Sequence, residues 1–319
     1  MELITPKIIK DKILINYIDY QYLFVEFQSK FLVGLYSRYQ SVENGNLVLY
    51  FAKQTHQEIL RQRDYDFNYN ISYDKFWENH YKISPKQRSL NRIAGDTLLP
   101  KETARRKIFE LTKQKVLNKK NRITGWLPSE KYKEIYNLVI IKEIDEVCKL
   151  ISFICEKINL PVTREEVIKE MKEKFSFIWF HYLDTQLQYL KLWNKRFNDH
   201  ELILIFLQIA CLFTSKAKEK NLSHKNIYDN PSLLKEFISA SISATSIAEV
   251  TGIPRVTCVR KLEILVNLNA ISKDEISKRY YIVPSAVADD LISRKLTKDV
   301  VELFSNFFFV CLKSISLRT

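Results

Sequence analysis

Ile93-Ala-Gly-Asp-Thr-Leu-Leu-Pro-Lys-Glu-Thr-Ala-Arg-Arg-Lys-Ile-Phe-Glu-Leu111 lies without a gap over Ile247-Ala-Glu-Val-Thr-Gly-Ile-Pro-Arg-Val-Thr-Cys-Val-Arg-Lys-Leu-Glu-Ile-Leu265. Eight of the 19 positions are identical: Ile93/Ile247, Ala94/Ala248, Thr97/Thr251, Pro100/Pro254, Thr103/Thr257, Arg106/Arg260, Lys107/Lys261 and Leu111/Leu265. Unrelated stretches of this length share on the order of one or two, so the chain reads as an internal duplication. Downstream, Leu117 meets Ile271 and Lys119 meets Lys273; after a two-residue insertion Pro128-Ser129 meets Pro284-Ser285. Upstream, Asn46-Leu-Val-Leu-Tyr-Phe-Ala52 resembles Glu201-Leu-Ile-Leu-Ile-Phe-Leu207.

Local chemistry gives each copy the same shape. Ser89 caps a short helix carrying Leu90, Ile93 and Ala94. Gly95-Asp96-Thr97 is expected to end it, Leu98-Leu99 to pack the turn, and Pro100 to take the first position of a second helix. Ala104, Ile108 and Leu111 then share a face at i, i+4, i+7, and Cys258, Leu262 and Leu265 repeat it after Pro254. At 100° steps Glu102 and Arg106 stand opposite that face, with Thr103 and Arg105 beside them. A short apolar step, Val116-Leu117, a polar run, Asn118 to Arg122, and a returning Ile123-Thr-Gly-Trp-Leu127 read as a β-hairpin. The second copy spells the hairpin as Ala270-Ile271, Ser272 to Arg279 and Tyr280 to Val283.

Ile247-Ala-x-x-Thr-Gly-Ile-Pro-Arg-x-Thr-x-x-Arg-Lys-Leu-x-x-Leu265 resembles the helix-turn-helix of bacterial winged-helix transcriptional regulators, broadly the MarR- and IclR-like group. Two departures stand between the copies: Leu98 replaces Gly252, and Val259 replaces Arg105. The resemblance implies a recognition helix beginning at Pro254 and, through the repeat, at Pro100, with double-stranded DNA as the partner. Its DNA-contacting residues on the first helix are then Lys101, Glu102, Thr103, Arg105, Arg106 and Lys107. On the second helix they are Arg255, Val256, Thr257, Arg260 and Lys261, and on the two wings Lys119, Lys120, Arg122, Lys278 and Arg279.

Charge weights the first copy. Lys82 to Arg122 holds 13 basic and 3 acidic residues, whereas Thr245 to Val283 holds 6 basic and 4 acidic. Phosphate neutralisation supplies much of the affinity of such proteins, so the first copy is expected to dominate binding and the second to bind DNA or dock a protein partner. Over the whole 319 residues the net charge is +13, which points to a polyanionic partner. Only 5 glycines and 8 prolines interrupt the chain, which favours long helices.

The expected fold is mainly α: two tandem winged helix-turn-helix units, each a three-helix core with a small β-hairpin wing, and additional long helices. The expected domains are 1–135, holding a first winged helix near 71–130; a helical connector, 136–160; 161–290, holding a second near 231–286; and a C-terminal helix, 291–319. Val300 to Leu312 is apolar nearly all round and reads as a buried or interface helix. Phe175 to Tyr182, with Tyr189 and Trp193, reads as core.

Five scattered cysteines and five histidines show neither CxxC nor HExxH spacing, so neither a metal nor another cofactor is expected. No GxxxxGK[ST], GxGxxG or GxSxG stands in the chain, and no enzyme activity is expected. The start lacks a signal-peptide pattern and the run Leu202–Phe213 reads as too short to span a bilayer, so a cytoplasmic, nucleoid-associated protein without a membrane partner is expected. The function these features imply is sequence-specific regulation of transcription, the two units acting as a built-in dimer or within a homodimer, on half-sites about 10 bp or a multiple apart. A replication initiator with tandem winged helices and a winged-helix docking adaptor are the alternatives.

Overall fold

The computed structural model of the protein describes residues 4–83, 86–120, 123–221, 234–282 and 291–316. These residues are mainly helical. The first half of the chain forms α1 (Pro6–Ile15), α2 (Tyr17–Tyr39), α3 (Val42–Arg61), α4 (Phe76–His80), α5 (Leu90–Thr97) and α6 (Lys101–Lys113). A two-stranded antiparallel ladder, β1 (Asn118–Lys120) with β2 (Ile123–Gly125), and the long α7 (Glu130–Lys157) complete it. The second half forms α8 (Arg164–Glu173), α9 (Phe175–Phe197), α10 (His200–Glu219), α11 (Leu234–Ser239), α12 (Ala244–Thr251) and α13 (Arg255–Asn267). Then follow the ladder of β3 (Ser272–Lys273) with β4 (Tyr280–Tyr281) and α14 (Leu291–Ser316).

The two halves match element by element, over far more of the chain than the 19-residue motif. A shift of 158 residues carries Pro6 to Arg164, Tyr17 to Phe175 and Val42 to His200, with α1 and α8 both 10 residues long, α2 and α9 both 23, and α3 and α10 both 20. The ends are built alike. Thr5 and Thr163 accept from the amides of Ile8 and Glu166, each at 3.2 Å, to cap α1 and α8. Gln40 and Asn198, both left-handed, close α2 and α9 by donating to the carbonyls of Tyr36 and Asn194 at 2.7 Å. The upstream likeness of Asn46 to Glu201 is therefore three residues out of register: Glu43 is the residue that stands where Glu201 stands. Apolar positions on a helix recur every three to four residues, so a slip of one turn preserves the pattern while misplacing every residue.

Packing divides the chain differently from the repeat. Unit 1 comprises Met1–Ile9, Glu43–Lys191 and Leu303–Thr319; unit 2 comprises Lys10–Val42 and Leu192–Glu302. In unit 2, α2 of the first half lies along α10 of the second, burying Phe24, Phe27, Phe31 and Leu35 with Leu202, Ile205 and Ile209. Ser29 and Gln208, buried in the same seam, hydrogen-bond to each other at 3.0 Å, so their polar atoms do not go unpaired. In unit 1 the body of α9 belongs with α3: Lys53 pairs with Asp184, and His56 Nδ1 lies 3.1 Å from the Ser176 carbonyl. Phe76, Trp77, Trp126, Tyr136, Phe175 and Trp179 form the aromatic centre of that unit. The domains expected at 1–135 and 161–290 each place their first long helix with their own half, whereas α2 and most of α9 sit in the unit of the other half. The run Leu202–Phe213 lies within α10, which by length and composition is apolar enough to cross a membrane and is mostly buried inside the protein.

Two details of the short helices differ from expectation. Gly95 and Asp96 do not break α5, which runs to Thr97; the break is Leu98, left-handed at φ 54°, as Gly252 is at φ 76°. Pro100 and Pro254 are caps with extended backbone (φ −54°, ψ 139° and 135°) rather than first helical residues, and α6 and α13 start one residue later. A proline ring fixes φ near −65° in either role, so sequence alone does not separate them. These glycines give a paired prediction. A Cβ on Gly95 meets nothing within 4 Å inside a helix, so Gly95→Ala is expected to raise stability by about 0.5–1 kcal/mol. At Gly252 the positive φ makes Gly252→Ala cost roughly 1–2 kcal/mol. Thermal or urea unfolding of both variants checks the opposite signs.

Candidate nucleic-acid interface

The segment from Ser89 to Asn118 and its partner from Ser243 to Ser272 correspond in detail at a constant shift of 154. Ser89 accepts from the Arg92 amide at 3.3 Å and Ser243 from the Ser246 amide at 3.0 Å. Thr97 and Thr251 each turn a hydroxyl back to the carbonyl four residues earlier, Ile93 and Ile247, at 2.7 Å. Lys115 and Asn269 leave α6 and α13 in the left-handed region, and the next amides, Val116 and Ala270, donate to Leu111 and Leu265 at 3.0 Å. The ladders that follow are in equivalent register, Asn118 opposite Gly125 and Ser272 opposite Tyr281. Each copy is thus two helices joined by a three-residue turn, followed by a small antiparallel ladder.

The turn buries Leu99 and Ile253, and the inner face of the second helix buries Ala104 and Leu111 or Cys258, Leu262 and Leu265. The opposite face of α6 is left to solvent. Lys101, Glu102, Arg105 and Arg106 are exposed there and Thr103 is half-buried. Arg105 pairs with Glu102 at 2.6 Å and Arg106 with Glu110 at 3.3 Å, all with largely exposed side chains. Exposed pairs of this kind are worth little, so both guanidiniums are able to exchange them for a stronger anion. On α13, Arg255, Val256 and Arg260 are exposed and Thr257 is half-buried, with Arg255 Nε donating to the Thr245 hydroxyl at 3.0 Å.

Lys107 and Lys261, expected to touch DNA, face inward instead. Lys107 is 8% exposed, with Nζ 3.0 Å from Glu43 and 3.3 Å from Asn44 Oδ1 at the start of α3. Lys261 is 7% exposed and binds Asp199 and, at 3.0 Å, Glu201 at the start of α10. Burial works against the charge of Lys261, but the hydrogen bonds and charges of Asp199 and Glu201 outweigh it and hold its pKa above the ordinary value. Each lysine is an internal clamp between the second helix of the motif and the long helix before it. Lys261→Met is expected to leave two carboxylates facing each other and to cost roughly 2–3 kcal/mol in urea unfolding, a fraction of a fully buried pair because both acids are partly exposed. Unchanged stability with weakened DNA binding would restore Lys261 to the outer face.

The ladder residues divide as well. Lys119 is exposed on β1; Lys120 is placed on β1 by its backbone; Arg122 lies outside the described residues. Lys278 is exposed and paired with Glu275 at 3.0 Å, while Arg279 donates from Nε and Nη2 to the Ser241 carbonyl at 3.2 and 2.8 Å and so positions backbone. Trp126 is buried beside Tyr136 (rings 4.7 Å apart), and Tyr280 is buried with its hydroxyl on Glu263.

A cleft of about 380 Å³ opens against α6 in unit 1. Four cations line it, Lys86, Arg88, Arg105 and Lys119, together with apolar side chains that include Ile93, Ile108 and Phe109; among the described residues no carboxylate does. Phe109 is 70% exposed. Lys86 and Arg88 belong to the basic run counted in the sequence, but nothing in their spacing places them beside Arg105; the one signal is their position just ahead of the Ser89 cap. In unit 2 the equivalent of Phe109 is Glu263, which accepts from Lys273, the equivalent of Lys119, at 2.7 Å and from the Tyr280 hydroxyl at 3.1 Å. The Lys273 hydrogen bond, more than Tyr280, keeps the Glu263 carboxyl below its usual pKa. Unit 2 thus carries a Glu263–Lys273 ion pair at the positions where unit 1 has Phe109 and Lys119. Compared with known protein families, curated proteins and solved structures, the chain matches none.

Proposed function

We propose that this chain is a sequence-specific, double-stranded DNA-binding regulator of transcription carrying two winged helix-turn-helix units, near residues 71–130 and 231–286. In this reading α6 and α13 are recognition helices entering major grooves by their N-terminal turns, and the two ladders are wings on the phosphate backbone. The observation that carries it is the outer face of α6: Lys101, Arg105 and Arg106 are exposed on a helix whose inner face is buried, beside a cleft lined, among the described residues, by four cations and no acid. A cleft lined by cations alone is rewarded by a polyanion through counterion release, and the exposed pairs of Arg105 with Glu102 and of Arg106 with Glu110 are weak enough to give way to it. Exposed Glu102 adds an acceptor for base-edge donors and half-buried Thr103 a hydroxyl for phosphate.

Selection of purified protein on random duplex pools, over several rounds at two salt concentrations, tests the proposal. The expected result is an enriched motif whose affinity falls steeply with salt. Weak binding without enrichment would remove the regulator reading and bring the docking adaptor forward.

A further inference from the structure

The repeat places six outward positions of the two recognition helices in one-to-one correspondence. At the three that form a single face at i, i+3 and i+4, the first helix carries Glu102, Arg105 and Arg106 and the second carries Val256, Val259 and Arg260. All three of the first set are exposed; of the second set Val256 is 78% exposed, Arg260 is exposed and Val259 is half-buried. One turn further, exposed Phe109 corresponds to the ion-paired Glu263. The inward positions behave oppositely: Ala104/Cys258, Lys107/Lys261 and Leu111/Leu265 keep their buried roles in both copies. The halves thus preserve their packing and, among the outward positions, keep Thr103/Thr257 and Arg106/Arg260 while diverging at Glu102/Val256, Arg105/Val259 and Phe109/Glu263.

We infer that the duplex this chain binds is not a palindrome but joins a G·C-bearing half-site under α6 to a thymine-bearing half-site under α13. The inference rests on the proposed DNA-binding function. Its chemistry follows from the edges of the bases. Arginine donates to guanine O6 and N7 and a carboxylate accepts from cytosine N4, so Arg105 and Glu102 favour a G·C pair. The valine at the corresponding place offers no hydrogen bond and packs on the C5-methyl of thymine, the one apolar group in the major groove. Arg106 and Arg260, alike in the two helices, and the paired Thr103 and Thr257 contribute what the half-sites share. A chain that assembled two identical reading heads would be confined to inverted or direct repeats; this one carries two different heads in a fixed order.

The test uses the full chain. The site enriched from random duplexes is rebuilt in two altered forms, one with thymines replaced by uracil and one with guanines replaced by 7-deazaguanine, which lacks N7. Expected is a motif of two dissimilar blocks. Removing the thymine methyl that Val256 packs on should weaken binding about fourfold, the weight of one buried methyl-sized group, and this sensitivity should vanish in Val256→Ala. Loss of N7 in the other block should weaken binding roughly tenfold, and Arg105→Ala should abolish that difference. An enriched inverted repeat, or a single block insensitive to Val256→Ala, would overturn the inference while leaving DNA binding intact; the uracil arm needs no variant and so does not depend on one folding. Absence of any enriched motif would overturn the DNA-binding proposal with it.

Discussion

Acidification from pH 7 to pH 5 is expected to cost unit 1 about 4 kcal/mol of unfolding free energy, through two histidines buried without charge. His56 is fully buried and its pKa is pushed down to about 3, chiefly by desolvation, against the hydrogen bond to the Ser176 carbonyl. His80, wedged among Phe76, Trp77 and Trp126, is pushed down to about 4 by burial and then by the nearby Lys133 ammonium. The Nε2 atoms of both rings are buried and have no hydrogen-bond partner among the described residues, so a proton added there gains nothing in return. Unfolded, each ring takes up its proton near pH 6.5. The folded state therefore binds fewer protons than the unfolded one throughout the interval below that value. The stability contributed by the neutral rings is complete above about pH 6.5 and declines as pH falls towards their folded values, by roughly 1.4 kcal/mol per unit per ring. Carboxylates whose pKa lies below the ordinary value, such as Glu166 and Glu263, titrate beneath this window and do not oppose it. Urea unfolding followed by tryptophan fluorescence reads the effect, since Trp77, Trp126 and Trp179 all lie in unit 1. His56→Gln/His80→Gln should be less stable at pH 7 and lose most of the dependence between pH 7 and 5, keeping only the share of His181, whose pKa burial also holds below the ordinary value. An unaltered wild-type midpoint across that range would mean the rings are hydrated or charged in the folded state.

Much of the fold is legible in the sequence because the features that announce it are local. The Ser89 and Ser243 caps, the apolar faces of α6 and α13 and the two hairpins each depend on residues within one or two turns of one another. The partner of α2 is not legible. Phe24, Phe27, Phe31 and Leu35 form an apolar stripe that buries equally well against any long helix, and the repeat supplies two nearly interchangeable candidates, α3 and α10. Which one covers it is decided by side-chain fit and by pairs such as Ser29–Gln208, separated by 179 residues. Among the proposed DNA-binding residues, the inward lysines mislead for an instructive reason. Lys107 is three residues after Ala104 and four before Leu111, so the helical period already places it on the buried face; its identity with Lys261 reflects a shared clamp to Glu43 and Glu201, not a shared role on DNA. That clamp is visible only when α3 and α10 are brought into their true register.

Arg105→Ala/Arg106→Ala is expected to lower duplex affinity roughly a hundredfold or more and to reduce the slope of affinity against salt by about one for each phosphate no longer neutralised. Both side chains stand on the exposed face of α6, and Arg105 also lines the cationic cleft with Lys86, Arg88 and Lys119. Among the described residues they pair with Glu102 and Glu110 of the same helix, at exposed positions, so removing them should change stability by no more than about 0.5 kcal/mol. That separation makes the measurement decisive: a large loss of affinity at unchanged stability can come only from the interface. Lys107→Met supplies the complementary case, because its ammonium is tied to Glu43 and Asn44 inside unit 1 and should affect stability while sparing affinity once the folded fraction is taken into account. Arg255→Ala/Arg260→Ala should fall between the two, since the second copy holds 6 basic against 4 acidic residues where the first holds 13 against 3. If both arginine doubles bind as tightly as wild type at low and high salt, the outer faces of α6 and α13 carry no polyanion, and the charge on them serves only to keep the helices solvated.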